Sequence, residues 1–254
     1  MKKKIIVNGY PKSGTTWVAR LIAKLVDCPI SGFWNEPKNK NLFEGQNRLS
    51  DYEVWHSHHL FKEIEKDFES GNIKIIYVIR DPRDVAISGS HFFGIYRLKL
   101  LRRVLKKIRF GDLVYNKQIN TQKYKLNKMI NAVLNGDCKI SHWLCSSWRV
   151  HVESFLNREL YIVRYEDMLK DPFTELRKIS DYLQIKRNKT EILDAIESQN
   201  IKKLKEKYLK KGDEKKVKHL RKGEMNQWNH ILSKNQKKLF ENDISDFLLK
   251  LNYK

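Results

Sequence analysis

Four short runs dense in β-branched and aromatic residues recur along the chain, separated by stretches in which apolar positions fall every three to four residues. The runs occupy residues 2–10, 53–59, 73–80 and 159–166. The third, IKIIYVIR, is apolar almost throughout, which predicts a central strand covered on both faces. After the first run, TTWVARLIAKLV sets Trp17, Leu21, Lys24 and Leu25 at the helical period, and Val18 and Ile22 widen the apolar face. A helix is therefore predicted from about Ser13. Strands alternating with helices predict an α/β protein with a central parallel sheet flanked by helices.

The third and fourth runs are separated by a long helical stretch. Its first part, residues 96–129, is basic and too long for a simple connection, so it reads as a lid or an exposed excursion reaching to about residue 139. Its second part, residues 140–156, reads as an amphipathic helix packed on the sheet. After the fourth run, residues 171–183 start with Asp171 at an N-cap and Pro172 at the first helical position. The tail ends in a further helix over residues 235–252. With no internal repeat and no Gly/Ser-rich linker, residues 1–254 read as one domain of a size that buries a sizeable core.

Composition adds a bias toward anions. The chain has 51 Lys and Arg against 30 Asp and Glu, a formal charge of +21. Such a balance suits a phosphorylated ligand, nucleic acid or an anionic surface, although a lysine-rich solvated face predicts the same numbers. Cys28, Cys138 and Cys145 have no paired spacing, and the odd count reads as reduced thiols rather than a disulfide framework. The basic start MKKK is followed by only three apolar residues before Asn8, and no window approaches the roughly 18 apolar residues of a membrane span. The expectation is a cytoplasmic protein with no transmembrane segment.

The first strand runs into VNGYPKSGTTW, where Gly9 and Gly14 have the G-x-x-x-x-G spacing of a phosphate loop. The residue after the second glycine is Thr15 where a triphosphate loop has lysine, and Lys12 stands three positions early. Backbone N–H groups and the hydroxyls of Ser13, Thr15 and Thr16 converge at a helix start, an anion site by geometry and dipole. Two further features carry charge at strand ends or in the tail: RDPRDVAIS (80–88), directly after the central run, and RKG (221–223). A planar, permanently charged arginine engages phosphate oxygens through two parallel hydrogen bonds.

Taken together, YPKSGTTW, RDPRDVAIS, YEDM (165–168) and RKG followed by Trp228 resemble the soluble, cytosolic-type sulfotransferases that use 3′-phosphoadenosine 5′-phosphosulfate, over nearly the whole chain. The resemblance implies that Lys12, Ser13, Gly14, Thr15, Thr16 and Trp17 form the 5′-phosphosulfate loop. It implies that Arg80, Ser88, Arg221, Lys222 and Gly223 hold the 3′-phosphate, and that Tyr165 lies on the adenine side. The implied reaction is sulfuryl transfer to an acceptor hydroxyl or amine, releasing 3′-phosphoadenosine 5′-phosphate with no metal. The chain departs from the family pattern at SQNIKKL (198–204), on the adenine side, and at Asn226-Gln227, after RKG.

Sulfuryl transfer needs a proton acceptor and a positive group at the leaving oxygen. Lys12 suits the second task. The segment WHSHHLF offers His56, His58 and His59 for the first. If it is extended, His56 and His58 share one face. The family's catalytic histidine directly precedes a leucine, which selects His59, before Leu60, with His58 as the alternative. The HSHH run lacks a partner set for a metal. The acceptor is a small molecule, lipid or carbohydrate, and Phe92, Phe93 and Tyr96 are candidates to line its pocket. Two alternatives remain open: a P-loop nucleotide kinase, and a non-catalytic basic protein binding nucleic acid or a membrane surface. Neither accounts for all four blocks, and nothing in the sequence specifies an oligomeric state.

Overall fold

The computed structural model describes residues 2–36, 43–93, 121–210, 212–213 and 223–253. In chain order these form β1 (Lys3–Asn8), α1 (Thr15–Val26), β2 (Ile30–Phe33), β3 (Phe43–Glu44), β4 (Tyr52–Ser57), α2 (Phe61–Glu69) and β5 (Ile73–Ile79). There follow α3 (Pro82–Phe92), α4 (Gln122–Asn135), a short 3-10 turn (His142–Leu144), α5 (Trp148–Glu153), β6 (Tyr161–Arg164), α6 (Tyr165–Lys170) and α7 (Pro172–Leu183). The last elements are α8 (Lys189–Ser198), α9 (Ile201–Lys210), α10 (Trp228–Ile231) and α11 (Lys234–Lys250). These residues group into two compact units, Met1–Arg80 with Ser154–Glu224, and Asp81–Glu153 with Met225–Lys254.

The first unit contains a sheet of order β3-β2-β4-β1-β5-β6. Five of its strands run parallel, and only the short edge strand β3 is antiparallel to its neighbour. Successive residues on β1 face opposite sides of the sheet, yet Ile5, Ile6 and Val7 are all buried, as expected for a strand covered on both faces. On one face, Val18, Leu21 and Ile22 of α1 join Ile5, Val7, Ile76, Val78, Leu176 and Ile179 in one cluster. Each such side chain removed from water contributes about 1.5–3 kcal/mol, which makes the apolar stripe of α1 sufficient to seat it. Arg48 closes the far end of α1 by donating from Nη1 to the carbonyls of Ala23 and Cys28. Elsewhere in the unit, Tyr77 stacks on Phe155 with 4.2 Å between ring centroids.

The second unit is helical. Trp148 is fully buried and meets the Phe247 ring edge-on at 5.6 Å, and Arg149 beside it grips both carboxylate oxygens of Asp246. Asp81 caps α3 by accepting from the Arg83 N–H, and its carboxylate also takes the Arg83 guanidinium. That guanidinium lies 3.5 Å over the Trp228 ring, whose backbone N–H donates to Asp84.

The structure revises two expectations. Residues 140–156 do not form one helix: the 3-10 turn and α5 are separate, broken at Cys145–Ser147. Cys138 and Cys145 are joined in a disulfide, contrary to the reading of three thiols, because the backbone reverses between them and Asp137 N–H donates to the Leu144 carbonyl at 2.6 Å. Cys28 alone is free, and burial pushes its thiol up to about 12, so it is an inert core residue. Of the basic excursion at 96–139, only residues 121–139 are described, and 121–135 belong to α4 and its cap.

Candidate active site

Parallel pairing aligns the carboxyl ends of four neighbouring strands. Asn8 of β1 pairs with Ser57 of β4 and Tyr77 of β5, and Ile79 of β5 pairs with Arg164 of β6. The segments that leave these ends are His58-His59 after β4, Gly9–Gly14 after β1, Arg80 after β5 and Tyr165 after β6. Open α/β sheets bind ligands outside the carboxyl ends of their strands. Four positions separated by up to 156 residues thus meet at one edge of one sheet, all within the first unit.

The loop after β1 turns tightly, with Ser13 N–H donating to the Tyr10 carbonyl at 3.0 Å. That amide is therefore spent on the turn. The amides of Gly14, Thr15 and Thr16 stand at the start of α1, where an α-helix leaves its first N–H groups without intrahelical acceptors. Lys12 and Gly14 both have left-handed backbones, with φ of 75° and 97°. A lysine held there is strained by about 1–2 kcal/mol. Gly9 is required for close approach, since a Cβ there would stand 2.6 Å from the Val78 carbonyl oxygen.

Several buried polar atoms at this edge have no hydrogen-bond partner among the described residues, among them Asn8 Oδ1, Ser13 Oγ, and Arg80 Nε on a residue 6% exposed. Buried polar atoms left alone are costly. Arg80 donates from Nη1 to the Lys12 carbonyl at 3.2 Å and from Nη2 to the Glu224 carbonyl at 3.0 Å. Its guanidinium lies 4.2 Å over the Tyr165 ring. Tyr165 also meets Trp17 edge-on at 5.7 Å and packs against Gly14. Tyr165 therefore floors the arginine and the loop, a role the sequence did not signal.

The histidines divide. Strand β4 ends at Ser57, so the extended run stops before His58, although the His56 and His58 rings both lie about 5.5 Å from Phe33. His56 is 3% exposed. Burial, then the nearby Arg20 guanidinium, depress it to about 4 against the opposing pull of Glu44. His58 Nδ1 lies 2.6 Å from the Gly9 carbonyl, and His59 Nδ1 lies 3.1 Å from Ser57 Oγ. Asn8 Nδ2 donates to Ser57 Oγ and to the His59 carbonyl.

His56 has a consequence for stability. Its folded-state affinity for a proton is below the unfolded value near 6.5, so the unfolded chain gains protons first as pH falls. The contribution is intact above about pH 6.5 and is lost toward pH 4, reaching about 3 kcal/mol. Urea unfolding at pH 7 and pH 4.5 checks this: His56→Phe is expected to lose less stability between the two than wild type, and equal losses would refute the assignment.

The other residues expected at the site are placed as follows. Thr15 is buried, Thr16 exposed and Trp17 half-buried at the start of α1. Ser88 is half-buried on α3 in the second unit. Gly223 is described, whereas Arg221 and Lys222 lie outside the described residues. Asn8, Ser57 and the Glu224 carbonyl were missed by sequence reasoning, because no local pattern marks them. Among the described residues no group of three or more His, Cys, Asp and Glu side chains is arranged for a metal, and no helix is long and apolar enough to cross a membrane.

A phosphate-type loop between β1 and α1, with an arginine at the neighbouring strand end, places this chain among the α/β proteins with a P-loop-like fold. The Sulfotransferase domain family matches residues 2–251, and the chain belongs to that family. It is 26% identical over 209 residues to 3-beta-hydroxysteroid sulfotransferase of Cavia porcellus, covering 74% of this chain and 60% of that enzyme. It is 26% identical over 274 residues to amine sulfotransferase of Oryctolagus cuniculus, covering 97% of this chain and 82% of that one. The fold is similar to the crystal structure of mouse sulfotransferase SULT7A1 complexed with PAP, with a TM-score of 0.69 and 23% identity, covering 98% and 85% of the two chains.

Proposed function

We propose that this chain transfers a sulfuryl group from 3′-phosphoadenosine 5′-phosphosulfate to a hydroxyl or amine of an acceptor. The observation that carries the reading is the convergence at one sheet edge of the loop, Arg80 and the histidine pair, with Ser13 Oγ and Arg80 Nε buried there and without partners among the described residues. When bound, the donor supplies an activated sulfuryl group whose leaving oxygen is a phosphate.

The residues divide the work. The amides of Gly14, Thr15 and Thr16 and the Ser13 and Thr15 hydroxyls hold the 5′-phosphate at the helix start. Lys12 neutralises charge gathering on the phosphate oxygen as the S–O bond breaks. Arg80 orients the 3′-phosphate through Nε, with Ser88, Arg221, Lys222 and Gly223 assigned to that group by resemblance alone. Trp17 and Tyr165 flank the nucleoside. The acceptor's proton goes to the His58–His59 pair, within which the position before Leu60 favours His59. The acceptor class and a cytoplasmic setting also belong to this proposal.

A kinase reading needs a carboxylate free for Mg²⁺ beside the loop. Asp81, the candidate after the central strand, is engaged by the Arg83 guanidinium and backbone N–H, which disfavours that role. The test is thermal unfolding with 3′-phosphoadenosine 5′-phosphate. A hundredfold excess over its dissociation constant is expected to stabilise the fold by about 2.7 kcal/mol. No shift at saturation, or a larger one with ATP and Mg²⁺, would sink the assignment.

A further inference from the structure

Cys138 and Cys145, joined in a disulfide, are both exposed on the loop that leads from α4 toward α5. They are only 7 residues apart, so the bond restrains the unfolded chain far less than a long-range bridge would, and it contributes little as a staple. Exposed bridges are also the ones that exchange readily with other thiols. Cys28 is shut out of this chemistry, because burial raises its thiol and leaves little thiolate.

The loop keeps its shape through contacts that involve no sulfur. Asp137 N–H donates to the Leu144 carbonyl at 2.6 Å, Ile140 N–H to the Asp137 carbonyl at 3.1 Å and Leu144 N–H to the Ser141 carbonyl at 2.9 Å. Lys139 N–H donates to the Asp137 carboxylate at 3.0 Å. Leu144 is fully buried, and the Cys145 carbonyl packs so closely on Gly136 that a Cβ there would stand 2.5 Å from it. This frame holds the two cysteine Cα atoms 4.3 Å apart, so the thiols stay within bonding reach after reduction. The bridge opens and closes without refolding the loop.

The same frame ends on a helix that reaches the proposed donor site. Gly136 is the C-cap of α4. Along α4, Met129 packs against Gly89 of α3, where a Cβ would stand 2.5 Å from Met129 Cε. At the start of α4, Gln122 Nε2 donates to Ser90 Oγ at 2.6 Å. Ser88, assigned by resemblance to the 3′-phosphate, directly precedes these two contact residues of α3. All of them lie in the second unit.

We infer that Cys138 and Cys145 form a reversible dithiol–disulfide pair, whose closure fixes the end of α4 and, through Met129 and Gly89, strengthens donor binding at Ser88. The link to the donor rests on the sulfuryl-transfer reading. Opening needs two equivalents of a small-molecule or protein thiol. One thiolate attacks a sulfur of the bridge, forming a mixed disulfide and expelling the other cysteine as a thiolate. A second thiolate then displaces the cysteine from the mixed disulfide. Two electrons and two protons pass to the cysteines, and the reductant leaves as a disulfide. In a reducing compartment the pair rests open, so oxidation is the signal that closes it.

The folded wild-type chain, equilibrated across ratios of reduced to oxidised glutathione and then alkylated with iodoacetamide, reports the bridged fraction by mass spectrometry. The bridge is expected to open and reclose with the ratio, with circular dichroism unchanged and Cys28 unalkylated. A bridge that opens only in denaturant, or two cysteines alkylated at every ratio, overturns the pair. In calorimetric titration with 3′-phosphoadenosine 5′-phosphate, the bridged form is expected to bind at least about fivefold tighter than the open form, the low end of coupling between sites. The double variant Cys138→Ser with Cys145→Ser is expected to match the open form at every ratio. Equal affinities of the two wild-type forms overturn the link to the donor site, as does a double variant that still responds to glutathione. Absence of nucleotide binding in both forms overturns the donor reading and with it the link, while alkylation still decides the pair.

Discussion

Replacing Arg80 by alanine is expected to lower the affinity for 3′-phosphoadenosine 5′-phosphate by at least about 100-fold, the scale of one strong charge-assisted contact, and to destabilise the fold. The guanidinium bridges the carbonyls of Lys12 and Glu224 and stacks on Tyr165. Two hydrogen bonds from a charged group and a cation–π contact together amount to about 3–5 kcal/mol. Truncation removes one donor to each of these carbonyls and the group that ties the loop to the segment at Glu224. Arg80→Lys keeps the charge but cannot span two carbonyls while lying flat on a ring, so it is expected to recover little of the affinity. Urea unfolding and calorimetric titration of the nucleotide check both effects. Unchanged affinity in Arg80→Ala would remove Arg80 from the donor site.

Gly14→Ala is expected to destabilise the protein by about 3–5 kcal/mol, at the upper end for single substitutions. Alanine at a φ of 97° is itself strained by about 1–2 kcal/mol. The added Cβ would also stand 2.7 Å from Tyr165 Cε2 and closer still to Cδ2. The ring cannot retreat easily, because Arg80 covers its face and Trp17 meets it edge-on. A double-mutant cycle with Tyr165→Ala separates the causes. Removing the ring relieves the clash and leaves the backbone strain, so the two losses are expected to be less than additive. Strict additivity would show that the contact with Tyr165 does not matter.

What was legible along the chain was local. The loop is eight consecutive residues, and the cap formed by Asp171 and Pro172 acts within one turn, with Asp171 accepting from Thr174 N–H. The central strand is recognisable because burial on both faces demands an unbroken apolar run. Strand β2 was not recognisable: ISGF has no strong β pattern and is a strand because it pairs with β4. The break between the 3-10 turn and α5 was missed because the helical period continues across Cys145–Ser147, while the disulfide and the Leu144 carbonyl contact redirect the backbone.

The histidines mark the boundary most sharply. Their presence near an anion loop, and the choice among His56, His58 and His59, could be posed from sequence because the three lie within four residues. Their chemistry could not be read there. His56 is depressed by burial and by Arg20, and His59 is tied through Ser57 to Asn8, 51 residues earlier. The linear order of residues determined that this chain has a phosphate loop, a parallel α/β sheet and the four blocks of its family, since each is encoded in contiguous residues. Only the tertiary structure decided that the His58 ring meets the Gly9 carbonyl, that the His59 ring meets Ser57 Oγ, and which atoms of Arg80 are engaged by the Lys12 and Glu224 carbonyls. The physical reason is that the Gly9 carbonyl and the Asn8 amide reach these histidines from β1 and its loop, 49 and 51 residues earlier in the chain.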